Sequence, residues 1–333
     1  MTRRDATTSS FRAAVIVAAA ATAWPLPVRA EDAGCVLRGE PVMPRNVSVY
    51  DAKVGGTEIA KFTGAKVGLG VSSLPEDGTG RAAVETTGFR IKGFVRARDL
   101  PVFTARSVPV FAGHLWIAEA QRVAVVGATG GRARVEKSVF SPLVGVFQGW
   151  APCESLTLGA RVAPGFAPSG SARGFVVKRD EIELFTEPKG DVVTTVERAS
   201  DGPGILLWSD DRQGAWVHVE HHGDVVIDAW ARAQDLSPLP RGETMDQLAQ
   251  GVVQTGTPSL KVQGNTKALR VPSPMPLRVA ASDAAAVIGS LDAGVEVLVL
   301  DVVAGWASVV PKDLGIAPAG AAQFWARAKD LGI

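Results

Sequence analysis

The chain has almost no excess charge of either sign, and this excludes whole classes of partner. Its 35 basic and 34 acidic residues leave a formal net charge of +1. The first thirty residues hold four arginines and one aspartate, so without them the net charge falls to −2. Because no global basic field remains, neither nucleic acid nor an anionic membrane surface is expected as the main partner.

Long apolar runs are also missing after residue 30. The one pronounced run, residues 13–24, is too short to span a bilayer as a helix. Arginines precede this run and Val28-Arg29-Ala30 follows it, which is the order of a secretory signal peptide cleaved after Ala30. The sequence therefore predicts a signal peptide at 1–30 and an exported protein, periplasmic or extracellular, with no membrane span.

Signatures of nucleophilic catalysis are absent too. No serine stands in a Gly-x-Ser-x-Gly elbow, and Cys153 has no His or Asn pattern beside it. The two long stretches between the repeats described below, residues 157–179 and 237–269, are too short for a catalytic domain of ordinary size. We therefore predict a protein that is not an enzyme and uses no cofactor.

What the sequence does contain is one short block that occurs four times. Each copy has an aromatic residue at its second position, then an apolar pair around Arg or Pro, and at its end a Leu that we expect to fill the core. The copies occupy residues 93–100, 149–156, 229–236 and 324–331. A recurring block of this kind defines the architecture, so it outranks arguments from single residues.

Short alternating segments precede every block. A Gly-Arg, Gly-Trp or Ala-Trp step is followed by Val three residues later, and two further alternating runs lie upstream. Period-2 alternation between Gly, Asp, Ser and Pro clusters is typical of half-buried antiparallel strands. Each unit is thus predicted to hold about five strands in roughly 55 to 60 residues, a size at which independent folding is marginal.

The order of these elements resembles the bacterial SH3-like (SH3b) repeat of exported proteins. That repeat has two Trp places, the first in the Gly-Trp step and the second in the closing block. Both are filled in the third and fourth units, by Trp216, Trp230, Trp306 and Trp325. The first two units depart from it, with Arg81 and Arg132 in the first Trp place. The resemblance implies an all-β chain of tandem five-stranded SH3-like barrels whose ligands are peptidoglycan stem peptides or another envelope protein.

The repeat also sets the expected boundaries. We expect SH3-like units 1 to 4 at residues 36–100, 101–157, 175–237 and 270–333, with a linker at 238–269. Part of that linker, residues 243–250, has the pattern of a short helix. The four units are called segments 1 to 4 below.

The segments alternate in loop length. The distance from the Val that follows the Gly-Arg, Gly-Trp or Ala-Trp step to the aromatic residue of the block is 10, 15, 11 and 16 residues in segments 1 to 4. Segments 2 and 4 therefore carry a longer hairpin loop, at 138–148 and 311–323. This alternation predicts a duplicated two-unit module, and hence two pairs of barrels.

The repeated tryptophans are the candidate binding residues: Trp150, Trp216, Trp230, Trp306 and Trp325. Large amphipathic rings make good contact surfaces at low entropic cost. The alternative is that they plug the barrels and pack under loops, since small barrels need bulky plugs. Arg327, matched by Arg96 and Arg232, is predicted to be exposed and has no assigned role.

Two other patterns suggest chemistry that their context contradicts. Residues 127–131 look like a phosphate-binding turn, but an alternating strand follows them in place of a helix, so we predict a hairpin loop. His218, Glu220 and His222 share one face of a predicted strand. A two-residue step rarely closes a tetrahedral shell, so residues 221–224 are predicted as a solvated turn and no metal site is expected.

Cysteine is scarce, and its two copies are Cys35 and Cys153. An even count in an exported chain favours a disulfide, which would stabilise by several kcal/mol because it closes a long loop. The alternative is that Cys153 is a packed small residue, because the other blocks have Ala at that position.

The function predicted from these observations is that of an exported, non-enzymatic binding or scaffold protein of the cell envelope. The alternatives are a purely structural spacer or stabiliser and, less favoured, an envelope hydrolase with a site between barrels.

Overall fold

The computed structural model describes residues 35–140, 143–197, 205–240, 266–320 and 322–333. The predicted signal peptide at 1–30 and the predicted helix at 243–250 lie outside these residues. The regular structure of the described residues consists of strands and four one-turn 3-10 helices. The prediction of an all-β protein is thereby confirmed.

The described residues contain twenty-seven strands, numbered in chain order. The strands within residues 37–96 are β1 Leu37–Gly39, β2 Arg45–Tyr50, β3 Glu58–Thr63, β4 Leu69–Ser73, β5 Arg81–Thr86 and β6 Phe89–Arg96. Those within 102–158 are β7 Val102–Thr104, β8 Val108–Phe111, β9 Leu115–Ile117, β10 Arg122–Thr129, β11 Arg132–Val139, β12 Gly145–Pro152 and β13 Leu156–Leu158.

The second half of the chain continues in the same way. The strands within residues 173–238 are β14 Arg173–Val177, β15 Glu181–Phe185, β16 Val192–Glu197, β17 Leu206–Gln213, β18 Trp216–His222, β19 Val225–Arg232 and β20 Leu236–Pro238. Those within 267–327 are β21 Lys267–Arg270, β22 Met275–Arg278, β23 Val287–Leu291, β24 Glu296–Val303, β25 Trp306–Pro311, β26 Ile316–Pro318 and β27 Phe324–Arg327.

The repeated block has the same local structure in all four segments. It forms the end of a strand (β6, β12, β19 or β27) followed by a 3-10 helix, and the helices are Ala97–Asp99, Cys153–Ser155, Ala233–Asp235 and Lys329–Leu331. The last leucine of every block is buried, which fits its expected place in the core: Leu100, Leu156, Leu236 and Leu331.

The strands form three antiparallel sheets, none of which closes on itself within the described residues. A 13-stranded sheet joins β1–β6 to β21–β27, and a five-stranded sheet contains β7 and β10–β13. A nine-stranded sheet joins β8 and β9 to β14–β20. Two of the three sheets therefore contain strands from two different segments.

Two junctions between segments repeat the same strand pairing. In the first, β23 of segment 4 pairs with β6 of segment 1, with Leu291 opposite Phe89. In the second, β9 of segment 2 pairs with β19 of segment 3, with Ile117 opposite Val225. Pairing thus links segment 4 to 1 and segment 2 to 3, as expected when two copies of a two-segment module contact each other reciprocally.

The predicted disulfide between Cys35 and Cys153 is present. The two Cα atoms lie 5.2 Å apart, within the usual range for a bridge, and the cysteines are separated by 118 positions in the chain. Close by, β1 runs beside β13, where a Cβ on Gly39 would stand 2.6 Å from the carbonyl oxygen of Leu158. The bridge therefore ties the start of the 13-stranded sheet to the five-stranded sheet.

Candidate functional site

The aromatic residue of each repeated block lies on the outer face of its strand. Strand alternation buries the residues on either side of it, so the ring itself points away from the core. Phe94, Trp230 and Trp325 are half-buried, and Trp150 is 39% exposed. Trp306, from the other Trp place, is only 5% exposed. The five candidate tryptophans thus have different environments, and Trp150 is the most accessible of them.

Trp150 lies on a hairpin that carries further exposed apolar side chains. Near the tip of the β11–β12 hairpin, Phe140 is 80% exposed and Val146 is 62% exposed, with Val144 exposed beside them. Val146 and Trp150 are four residues apart on the same face of β12, or about 13 Å. We call Phe140, Val144, Val146 and Trp150 the hairpin patch.

Polar side chains separate the two ends of the hairpin patch. Gln148 lies between Val146 and Trp150 on the same face, and its Nε2 donates to Glu136 Oε2 at 2.7 Å. An apolar tip, a polar pair and an indole thus follow one another along one accessible strand face. Such a mixture of apolar anchors and polar groups is typical of a protein or peptide contact surface.

A second recurring feature is the stacking of Arg on aromatic rings. Trp216 of β18 lies opposite Arg232 of β19, and Trp306 of β25 lies opposite Arg327 of β27. The Arg327 guanidinium carbon is 4.4 Å from the Trp306 ring centroid. That of Arg232 is 5.0 Å from the Phe185 centroid and 5.9 Å from the Trp216 centroid.

Stacking gives the blocks' arginines a role that the sequence left unassigned. Arg232 also forms an ion pair with Glu183 at 3.6 Å, and Arg327 forms one with Asp283. In segment 1 a different arginine does the stacking. Arg81, which stands in the first Trp place, has its guanidinium carbon 3.4 Å from the Tyr50 ring centroid. The prediction that Arg232 and Arg327 are simply exposed was wrong, since both are half-buried and cover a ring.

We expect Arg232→Lys to lower the free energy of unfolding by about 1 kcal/mol. Lysine keeps the charge but loses the planar guanidinium that stacks on Phe185 and Trp216. Urea unfolding followed by circular dichroism measures the effect. Arg96→Lys is the control, because Arg96 occupies the same block position and is exposed. Equal losses in the two variants would contradict a stabilising role for stacking.

The histidines of β18 have separate partners. His218, Glu220 and His222 share the half-buried face of the strand, as predicted. His218 Nε2 is 2.5 Å from Asp228 Oδ1, whereas the His222 ring stacks on Phe166 with centroids 3.7 Å apart. Among the described residues, no three His, Cys, Asp or Glu side chains are arranged to hold a metal ion.

The prediction of a solvated turn at 221–224 was partly wrong. His221 and His222 belong to β18, so the turn consists of Gly223 and Asp224. His221 is buried, and its Nδ1 donates to the carbonyl oxygen of Leu206 at 2.9 Å. Burial lowers the pKa of His221, so the neutral ring is favoured. Burial also lowers the pKa of His222, and the nearby Glu220 opposes that shift.

The glycine-rich stretch at 127–131 forms a hairpin, but its loop is shorter than predicted. β10 continues to Thr129, with an irregularity in the register after Val125. Only Gly130 and Gly131 form the turn, and both have positive φ, at 53° and 72°. This backbone favours Gly at both positions of a two-residue hairpin turn, and no helix begins there.

The junction of segments 4 and 1 contains a cleft of about 380 Å³. Its apolar lining includes Ile59, Val279 and Phe324, and its charged lining includes Glu58 and Lys92. The volume falls within the range of small-ligand sites. No sequence pattern predicted it, because its residues come from the two ends of the chain.

His114 marks the equivalent junction of segments 2 and 3. Its Nδ1 donates to the carbonyl oxygen of Asp228 at 2.9 Å, and its own carbonyl accepts the Asp228 N–H at 2.9 Å. The sequence offered no partner for His114, because Asp228 is 114 positions away.

Comparison of the chain with protein-family models, with curated proteins and with solved structures found no match. Within the described ranges, no helix is long and apolar enough to cross a membrane.

Proposed function

We propose that this chain is an exported, non-enzymatic binding or scaffold protein of the cell envelope, made of four SH3-like units in two pairs. Its ligand is a peptidoglycan peptide or an envelope protein. The observation that carries the proposal is the hairpin patch, where Phe140, Val146 and Trp150 are accessible on one hairpin. Exposed apolar side chains clustered on one hairpin are a common mark of a contact surface.

The recurrence of strand, 3-10 helix and buried leucine supports the four-unit part of this proposal. The two equivalent junctions support the arrangement in pairs. The export part rests on the signal-peptide pattern of residues 1–30. Sequencing the N-terminus of the mature protein from periplasm or medium tests it, and a chain that retains residues 1–30 in the cytoplasm would refute it.

Binding to purified sacculi tests the wall ligand. We expect wild-type protein to sediment with sacculi and Trp150→Ala to be retained about tenfold less, since aromatic anchors supply much of an interface's affinity. Val162→Ala is the control, because Val162 is an apolar residue outside the hairpin patch and is 90% exposed. Circular dichroism must show that both variants remain folded.

Trp230→Ala and Trp325→Ala extend the same test to half-buried rings of the repeat. Full retention of Trp150→Ala on sacculi would rule out the hairpin patch as the wall contact. If sacculi are ignored and in-cell cross-linking recovers one envelope protein through this hairpin, the scaffold role is supported instead. Saturable release of soluble peptidoglycan fragments would refute the non-enzymatic assignment.

A purely structural role is the second candidate, and a specific observation favours it. Trp306 is buried, and Trp216 is half-buried beside Arg232 and nearly perpendicular to the Phe185 ring, with the two ring centroids 5.1 Å apart. These rings stabilise their own segments rather than offering a surface. Unaltered envelope binding in every tryptophan variant, together with loss of stability, would support this alternative.

A further inference from the structure

Two strands occupy equivalent places in segments 1 and 3. In segment 1, β3 pairs with β2, and Phe62 lies opposite Val47. In segment 3, β16 pairs with β15, and Val196 lies opposite Ile182. Both pairings have an irregularity at the corresponding position, beyond Val49 in β2 and beyond Leu184 in β15. Lys61 and Thr195 therefore correspond.

The outer edge of β3 is covered by another part of the same chain. The loop of segment 4 leaves its own hairpin and adds β26 to β3, with Ala317 opposite Lys61. Thr63 N–H donates to the carbonyl of Gly315 at 3.2 Å, and Ala319 N–H donates to the carbonyl of Ile59 at 3.4 Å. The main-chain groups on the outer side of β3 are thus satisfied by an extended segment.

The corresponding edge of β16 has no such cover among the described residues. β16 stands at the end of the nine-stranded sheet and pairs only with β15 there. By correspondence with Ile59, Lys61 and Thr63 in segment 1, the outward N–H and C=O groups of β16 belong to Val193, Thr195 and Glu197. An edge strand with unpaired main-chain groups is a ready template for an added strand.

The hairpin loop of segment 2 is the counterpart of the loop that covers β3, but it does not cover β16. This loop corresponds in position to the one that carries β26, yet its strands pair almost to the tip, with Val139 opposite Gly145. The segment 4 hairpin stops pairing at Val309 and Phe324, and the residues between leave to reach β3. The two halves thus differ in whether the loop is used as a strand donor.

The side chains of β16 do not protect its edge. Natural edge strands are commonly blunted by Lys, Pro or inward charges. β16 reads Val-Val-Thr-Thr-Val-Glu, with Val192 45% exposed and both threonines half-buried. The irregularity at its start is no obstacle, because β3 has the same one and still accepts β26.

We propose that the open edge of β16 binds an extended segment of a partner protein by strand addition. The segment that occupies the equivalent edge defines the chemistry of the occupant. β26 has a branched aliphatic residue, Ile316, followed by Ala and Pro, and the Ile316 side chain is buried. The partner segment therefore carries a branched aliphatic residue opposite Val196 and a small residue opposite Thr195, while main-chain hydrogen bonds supply most of the affinity. This inference does not rest on the proposed envelope ligand, because it is argued from the main-chain edge of β16 and not from the exposed side chains of the hairpin patch.

A capped synthetic peptide with the sequence of residues 312–320 is the probe. Hydrogen exchange of the full-length protein, read at single amides by NMR, reports where it binds. We expect the peptide to bind saturably and to slow exchange of the Val193, Thr195 and Glu197 amides. Thr195→Pro removes the central outward N–H, and we expect it to weaken binding about tenfold.

Two controls keep the outcome interpretable. Lys267→Pro places proline at the first residue of β21, another strand at the end of a sheet, and should leave peptide binding unchanged. A peptide with an N-methyl group on the alanine that corresponds to Ala317 loses one N–H, so it tests the contact without altering the protein. We expect this peptide to bind about tenfold more weakly.

Several results would overturn the inference. Equal binding of the N-methylated and unmodified peptides would exclude strand addition, as would peptide protection of amides outside β16. Protection of the β16 edge amides without peptide would also refute a partner segment. If that protection rises with protein concentration the occupant is a second copy, and if it does not the occupant is the chain itself.

Discussion

Removing the disulfide between Cys35 and Cys153 is expected to lower the free energy of unfolding by about 5 kcal/mol. The two cysteines are 118 positions apart, so the bridge restricts a long loop in the unfolded chain. Cys35 is buried among core side chains, and Cys153 packs against the same core. A loss of this size is comparable to the whole stability of a marginal domain.

Urea unfolding of wild-type protein, with and without reductant, measures this effect against the Cys35→Ala/Cys153→Ala double variant. Reductant should destabilise the wild type and have no effect on the variant, which separates the bridge from other consequences of reduction. Identical unfolding of oxidised and reduced wild type would contradict the prediction. Free thiols in protein taken from its native compartment would show that the bridge does not form there.

Gly289→Ala is expected to destabilise the junction of segments 4 and 1 by about 3 kcal/mol. Gly289 lies in β23 opposite Ile91 of β6, and a Cβ there would overlap the main-chain carbonyl oxygen of Arg90. Because the obstacle is the backbone of β6 and not a flexible side chain, relief requires the two strands to separate. Separation weakens strand pairing between the two ends of the chain and opens the adjoining cleft.

Ser290→Ala is the matched control, since Ser290 is the next residue of β23 and is half-buried. We expect it to unfold within about 0.5 kcal/mol of the wild type, as substitutions away from special features usually do. Hydrogen exchange should show faster exchange of β6 and β23 amides in Gly289→Ala alone. A Gly289→Ala variant as stable as Ser290→Ala would show that the strands accommodate a methyl group without cost.

Local structure could be predicted from the sequence because period-2 alternation and turn residues indicate strands and turns directly. Alternation of apolar residues predicted strands, and the leucine that ends each block was expected in the core and is buried in all four. Strand positions of His218, Glu220 and His222 followed from the same period. The pairing of Cys35 with Cys153 followed from their number and the predicted export.

Side-chain environments were less readable, because they depend on neighbouring strands. Arg232 and Arg327 became stacking partners of aromatic rings only once β18 and β19, or β25 and β27, were placed side by side. His221 was expected in solvent, yet the strand continues through it and turns its ring inward. Trp150 and Trp325 occupy the same position of the repeated block, but Trp150 is accessible and Trp325 is half-buried.

The sequence by itself determined an all-β chain, the recurring block with its buried leucine, and the alternation of short and long loops. Only the tertiary structure decided that segment 4 pairs with segment 1 and segment 2 with segment 3. The physical reason is that these junctions are made by main-chain hydrogen bonds, which every residue except proline can form. The side chains therefore do not indicate which strand pairs with which. Gly289 shows this limit well. In the sequence it is one glycine of a short strand, and only the approach of β6 explains why a larger residue would not fit.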